Sequence, residues 1–237
     1  TNFGKAHLDG FGSLQGVVKA KSELYDFLKS TSGIIFANVD DSKIMAQLKE
    51  HHPITYGTTA SAQFFAKVND KNDAIALEID RVRIQTQLNG IHNAYNTLAA
   101  YAIGKHFGVS TQTAKSALES YFPDNNRSQK IHKNNLCVTL DAYNANPTSM
   151  SAALESFAKT DGRKIAILGQ MNELGEHTET EHQQLVEWVQ ASSIDDCYWV
   201  GAAFESFVSA DKYFSNIDQA MVHFSSNPIG DGSLLVK

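Results

Sequence analysis

The sequence predicts an α/β protein with a mostly parallel sheet in its second half. Three observations carry this. Beyond Leu136, short apolar runs alternate with helical patterns: Leu136–Leu140, Lys164–Leu168 and Cys197–Val200 read as strands, with helices over Ser151–Ala158 and Thr178–Ala191 between them. Such alternation builds a parallel sheet through right-handed crossovers. The first half changes character between Ile54 and Leu88, where short alternating runs suggest further strands among helices. The stretch Pro123-Asp124-Asn125-Asn126-Arg127-Ser128 is polar and turn-rich, and divides the chain into residues 1–124 and 125–237. A chain of 237 residues has room for two compact domains.

Taken in order, the elements follow from spacing and punctuation. Leu14 to Leu28 has helical spacing. Gly33–Asn38 reads as a strand, and Asp41 or Ser42 begins a short helix. Ala62–Val68 and Ala74–Ile79 alternate as half-buried strands do. Ala94–Phe107 is a helix that ends near Gly108, and Thr111–Tyr121 is a second one stopped by Pro123. Thr178-Glu179-Thr180-Glu181 has the form of a capping box. Ser233–Lys237 reads as a last strand.

Bulk properties exclude several classes. Apolar residues make up 42% of the chain, enough for a globular core. The net charge is −6 and the basic residues are scattered, which argues against a nucleic-acid or anionic-membrane surface. Cys137 and Cys197 sit in apolar runs and read as small buried hydrophobes in a reducing compartment. No apolar stretch approaches the ~20 residues needed to span a bilayer, and no signal peptide is read at the start.

The most informative string is Asp141-Ala142-Tyr143-Asn144-Ala145-Asn146-Pro147-Thr148-Ser149-Met150. It places a carboxylate, a phenol and two carboxamides directly after a strand, where open α/β sheets bind ligands. Asn146 suits a helix cap and Pro147 its first turn. Gly90-Ile91-His92-Asn93-Ala94-Tyr95-Asn96 opens a helix. Its imidazole and carboxamides each offer a donor and an acceptor, as an adenine edge requires. N-capping by Asn93 is the plainer reading. His177, Glu179, Glu181 and His182 look like metal ligands, but their place on a helix start reads as a solvated face. A Gly-x-x-x-x-Gly-Lys-Ser/Thr phosphate loop is absent: Gly4-Lys5 is followed by Ala6, and Gly104-Lys105 by His106.

Four segments in this order resemble the Mur ligases of peptidoglycan synthesis. They are Thr1–Ser13 with Ala20–Leu24, then Gly90–Asn96, Asp141–Met150 and Leu168–Gly175. The resemblance runs from the first residue to about Gly175, and weakly on to Lys237. It implies a partial central ATPase-type domain over 1–124, cut upstream of Thr1 so that its phosphate loop is missing. A Rossmann-like ligase domain then occupies 125–237. The implied reaction is ATP-dependent addition of D-alanyl-D-alanine to UDP-MurNAc-tripeptide through an acyl phosphate, by a cytoplasmic monomer that uses ATP and Mg2+.

The resemblance also implies roles. His7 and a carbamylated Lys21 would hold magnesium, and His92 and Asn93 would face adenine, with Asn96 packed behind. Arg127 would reach the nucleotide phosphates and Asp141 the ribose. Asn144, Asn146, Ser149, Met171 and Glu173 would hold the dipeptide or the acyl phosphate. At Gln170 the family commonly has Asp. Two other readings stand beside this one: another Mur-type or folylpolyglutamate-type ligase, and a non-catalytic α/β binding module. The isolated chain is expected not to turn over ATP. A phosphate-release assay reads this directly, and steady release by the chain alone would contradict it.

Overall fold

The computed structural model describes residues 2–5, 8–69, 74–124 and 126–237. Two compact units are present, one of Thr1–Gly4 with Phe11–Phe122 and one of Lys5–Gly10 with Pro123–Lys237. A single helical turn, α1 (Leu8–Phe11), contains residues of both.

The first unit holds α2 (Leu14–Ser30), β1 (Phe36–Asn38), α3 (Ser42–Gln47), β2 (Ile54–Gly57), β3 (Phe64–Asn69), β4 (Ala76–Ile79), β5 (Val82–Gln85), α4 (Ile91–His106) and α5 (Thr111–Ser120). Helix α2 starts where the Ser13 hydroxyl accepts the amide proton of Gly16, and α3 where Asp41 caps Lys43 and Ile44. The strands form one sheet in sequence order. β1, β2 and β3 are parallel, and β3, β4 and β5 antiparallel. The β4–β5 hairpin turns at Asp80 and Arg81, both at positive φ (52° and 65°), as a two-residue loop matched to strand twist requires. Ala66, Leu77, Ile79 and Ile84 of the sheet pack with Leu98, Tyr101 and Ala102 of α4 as one core.

The second unit holds β6 (Gln129–Lys133), β7 (Asn135–Leu140), α6 (Pro147–Phe157), β8 (Lys164–Gly169), α7 (Thr178–Ala191), β9 (Asp196–Val200), β10 (Tyr213–Phe214), α8 (Ile217–Ser226) and β11 (Asp231–Val236). The sheet order is β10-β9-β8-β11-β7-β6. All pairings are parallel except β6 with β7. The last strand, β11, therefore lies between β7 and β8. The C-terminal ends of β7, β8, β9 and β11 open on the same edge.

Two expectations are corrected. The capping box at Thr178 is not made: the Thr178 hydroxyl donates to Gly175 O at 2.8 Å, and a 3-10 turn, Gly175–His177, leads into α7. Asn93 does not cap α4. The helix begins earlier, at Ile91, after Gly90 at φ 78°, and Asn93 sits inside its first turn. The capping box that does form is Asn146 with Ser149 at α6, with Pro147 in the first turn.

Leu98 is fully buried in the first unit's core. Leu98→Ala is expected to cost about 2–5 kcal/mol, read as a lowered urea midpoint of that unit.

Candidate functional site

The site in the second unit is built on the shared C-terminal edge of its parallel strands. The Asp141–Asn146 loop leaves β7 and the Gln170–Leu174 loop leaves β8. Asp141 is the hub of the first. Its Oδ1 accepts the amide proton of Ser128 at 2.9 Å and faces the Ser128 hydroxyl at 3.4 Å. Its Oδ2 pairs with the Lys237 ammonium at 2.7 Å, and the same ammonium donates to Asn144 O at 2.9 Å. The Asp141 amide donates to Val236 O at 2.9 Å, which ties the loop to β11.

Arg127 lies between Asn126 and Ser128, both at positive φ (57° and 54°). Its exposed guanidinium stands 3.8 Å from the centre of the Tyr143 ring. The Asn144 side chain is exposed. Asn146 and Ser149 engage each other: Asn146 Oδ1 accepts the Ser149 amide proton at 2.9 Å, and Ser149 Oγ accepts that of Asn146 at 3.1 Å. Their first use is therefore to fix the start of α6.

The second loop is anchored from beneath. Met171 is buried, and its amide donates to Nε2 of His182 at 2.9 Å. The Nδ1–H of His182 donates to Thr178 O at 2.7 Å, so the ring is neutral with its proton on Nδ1. His182 is fully buried and meets Phe204 edge-on. Burial pushes its pKa down, against an upward pull from Thr178 O and Glu181. This corrects the solvated-face reading of His182: it is an internal brace. Met171 also lines a cleft of about 190 Å³ between α6 and α7 with Pro147, Met150, Leu154, Leu185 and Trp188. Glu173 is exposed at φ 60°, and its carbonyl accepts the Asp9 amide proton at 3.2 Å. Gln170 accepts from the Ala203 amide at 3.3 Å and donates to Asn172 at 3.2 Å. A carboxylate at that position could not make the second bond.

In the first unit, Asn93 donates to Asn89 O at 2.8 Å and accepts from Asn96 at 3.1 Å, with His92 beside it in the first turn of α4. The Asn89 Oδ1 atom is buried with no hydrogen-bond partner among the described residues. A buried acceptor left open beside a helix start suits the amino group of a base, so the donor set here fits a nucleotide. Behind this helix, Asp40 accepts from the Thr58 amide at 2.6 Å, from the Thr58 hydroxyl at 2.8 Å and from the Thr59 hydroxyl. Burial raises its pKa, but these bonds outweigh it and hold the carboxyl below its usual range.

Lys21 is half-buried on α2, and its ammonium donates to Asn2 O at 3.0 Å. In that form it is a donor and cannot ligate a cation. His7 lies outside the described residues. No group of three or more His, Cys, Asp or Glu side chains converges as a metal site among the described residues. Among the described residues, Lys21 in its ammonium form does not make a magnesium site. Burial raises the Cys197 thiol well above its usual range, so it is inert as a nucleophile. No helix among the described residues is long and apolar enough to cross a membrane.

A parallel sheet with its polar loops gathered on one strand edge follows a mixed-sheet unit with an open polar helix start, which defines the class as a two-unit α/β protein. The chain belongs to the Mur ligase family. The Mur ligase middle domain matches residues 1–104, and the Mur ligase, glutamate ligase domain matches residues 126–228. Within the family it is similar to UDP-N-acetylmuramoyl-tripeptide–D-alanyl-D-alanine ligases. One from Bacillus subtilis is 29% identical over 207 residues, which are 85% of this chain and 45% of the relative. One from Escherichia coli is 31% identical over 211 residues, 84% of this chain and 46% of the relative. The crystal structure of MurF from Acinetobacter baumannii superposes with a TM-score of 0.82 at 25% identity, covering 100% of this chain and 55% of that one. The chain thus spans about half the length of the relatives it matches.

Lys237, Ser128 and His182 were not legible as site residues from the sequence. The available signal for Lys237 was a charged residue closing the apolar run Leu234-Leu235-Val236.

The folded-state pKa of His182 lies below its ordinary value of 6.5. The unfolded chain therefore takes up the proton first. Stability present above about pH 6.5 is lost as pH falls through that value towards the folded pKa. Thermal melts at falling pH should show the wild type losing more stability than His182→Leu. Parallel losses would contradict this.

Proposed function

We propose that this chain is the part of an ATP-dependent amide ligase that handles the nucleotide and the incoming dipeptide. In the whole protein, D-alanyl-D-alanine is joined to UDP-MurNAc-tripeptide. The observation that carries the reading is the Asp141–Asn146 loop, anchored at the C-terminal edge of β7 with its carboxylate fixed on both oxygens. Similarity to UDP-N-acetylmuramoyl-tripeptide–D-alanyl-D-alanine ligases along most of the chain supports the choice of acceptor. ATP, when bound, supplies the phosphoryl group that activates the tripeptide carboxylate for attack by the dipeptide amine.

The roles proposed for this chain's residues follow from what each offers. His92 and Asn93, beside the open acceptor of Asn89, take the adenine edge. Asp141 accepts from ribose hydroxyls. Arg127, exposed between two left-handed residues, brings a guanidinium to the phosphates. Asn144, whose side chain is exposed, and Asn146, Ser149, Met171 and Glu173 hold the dipeptide or the acyl phosphate in this proposal. Carbamylation of Lys21, which would replace a donor by an anionic oxygen, belongs to the same proposal, as does the partnership with His7. We also propose a functional division at 1–124 and 125–237, closure about Arg127, a cytoplasmic location and a monomeric state.

The test is a ligase assay on the full-length protein that carries this chain, with ATP, UDP-MurNAc-tripeptide and either D-alanyl-D-alanine or single amino acids. Phosphate release with the dipeptide alone, reduced at least tenfold in Asp141→Ala, is expected; loss of one charge-assisted contact is of about this size. Release with a single amino acid would move the chain to another ligase class. No release with any acceptor would favour a binding module.

A further inference from the structure

We propose that Lys237 is a positioning residue that couples the two substrate sides of the Asp141–Asn146 loop. One buried ammonium fixes the Asp141 carboxylate on the nucleotide side and the Asn144 carbonyl on the acceptor side. This rests on the nucleotide-side reading of Asp141 given above.

The Lys237 side chain is only 3% exposed. An ammonium so placed must be paired and hydrogen-bonded, because isolated burial of a charge is prohibitive. Its two partners, Asp141 Oδ2 at 2.7 Å and Asn144 O at 2.9 Å, belong to one loop. Its backbone belongs elsewhere. The Lys237 amide donates to Ile167 O at 3.0 Å, and its carbonyl accepts from the Gly169 amide at 2.7 Å. The residue is thus held to β8 by its main chain and holds the loop after β7 by its side chain. This is possible because β11 runs between those two strands.

The arrangement leaves Asp141 with acceptor capacity. A carboxylate has about four lone-pair sites. Three donors reach this one: the Ser128 amide, the Ser128 hydroxyl and the Lys237 ammonium. The acceptor capacity left over is what ligand hydroxyls can use. Without Lys237 the carboxylate turns about its Cβ–Cγ bond and the Asn144 carbonyl loses its donor. Both sides of the loop then shift together.

The experiment measures KM for ATP, KM for D-alanyl-D-alanine, kcat and melting temperature in the full-length protein. The variants are Lys237→Met, Lys237→Gln, Asp141→Asn and the Asp141→Asn/Lys237→Met double. Lys237→Met should raise both KM values about tenfold or more, the size expected when a hydrogen bond to a charged group is lost. Lys237→Gln keeps one donor in similar space and should fall between; it carries the test if Lys237→Met does not fold. In the Asp141→Asn background, adding Lys237→Met should change KM for ATP less than about twofold, because its partner there is already neutral. Unchanged KM values with a lowered melting temperature would make Lys237 merely structural and overturn the proposal. So would effects on KM for ATP that multiply in the double variant. If Asp141→Asn itself leaves KM for ATP unchanged, the nucleotide-side reading of Asp141 fails, and the nucleotide arm of the coupling with it. If Asp141→Asn is impaired while Lys237→Met and Lys237→Gln are not, only the role of Lys237 falls.

Discussion

A lysine ammonium buried at the end of a central strand needs an anion beside it, and that requirement organises the second unit. The strand is β11, inserted between β7 and β8 although it is last in the chain. Its insertion brings Lys237 to Asp141 and at the same time ties its backbone to Ile167 and Gly169. The loops after β7 and β8 are therefore set relative to one another through the end of β11, by Lys237 and by the Asp141 amide on Val236 O. Removing only one member of such a pair leaves an uncompensated charge in a poorly solvated place, which is why the pair is a strong constraint even where its net contribution to stability is small.

The loop after β8 has a different kind of support. His182 spends both ring nitrogens on main-chain groups, one on Thr178 O and one on the Met171 amide. The ring must be neutral to do so. The loop is then held by a hydrogen bond that protonation breaks, while the loop after β7 is held by an ion pair. Gln170 completes this support, bonded to Ala203 and packed against Gly201. A side chain at Gly201, at φ 124°, would collide with the Gln170 amide at 2.5 Å.

Most of the architecture that positions the site was legible in the sequence, for physical reasons. β8 is a continuous apolar run because a central parallel strand is covered on both faces, while β7 and β9, only partly buried, are still apolar enough to read as strands. Helix α7 was bounded correctly even though its expected capping box was not made, since its buried positions, His182, Leu185, Val186 and Val189, carry the periodicity. β6 was missed because it is an exposed edge whose apolar content is Ile131 alone. α8 was missed because only Ala220 is buried, while Ile217, Met221 and Val222 face outward. The Asp141–Asn146 string announced a site, but its anchor lies 93 residues from Asn144 in the chain, and no local pattern reports a pairing that topology creates. His182 was misread for a related reason: helix-start spacing says nothing about a ring that meets Phe204 from another element.

Hydrogen exchange at single-amide resolution tests the central claim most directly, in wild-type full-length protein. The amides of Asp141, Gly169 and Lys237, which donate to Val236 O, Lys237 O and Ile167 O, should exchange together, as slowly as the interior of β7 and β8. One cooperative opening would then cover both loops and the strand between them. Fast exchange at these three amides, or exchange of Asp141 independent of Gly169, would mean that β11 and Lys237 do not bind the two loops into one unit.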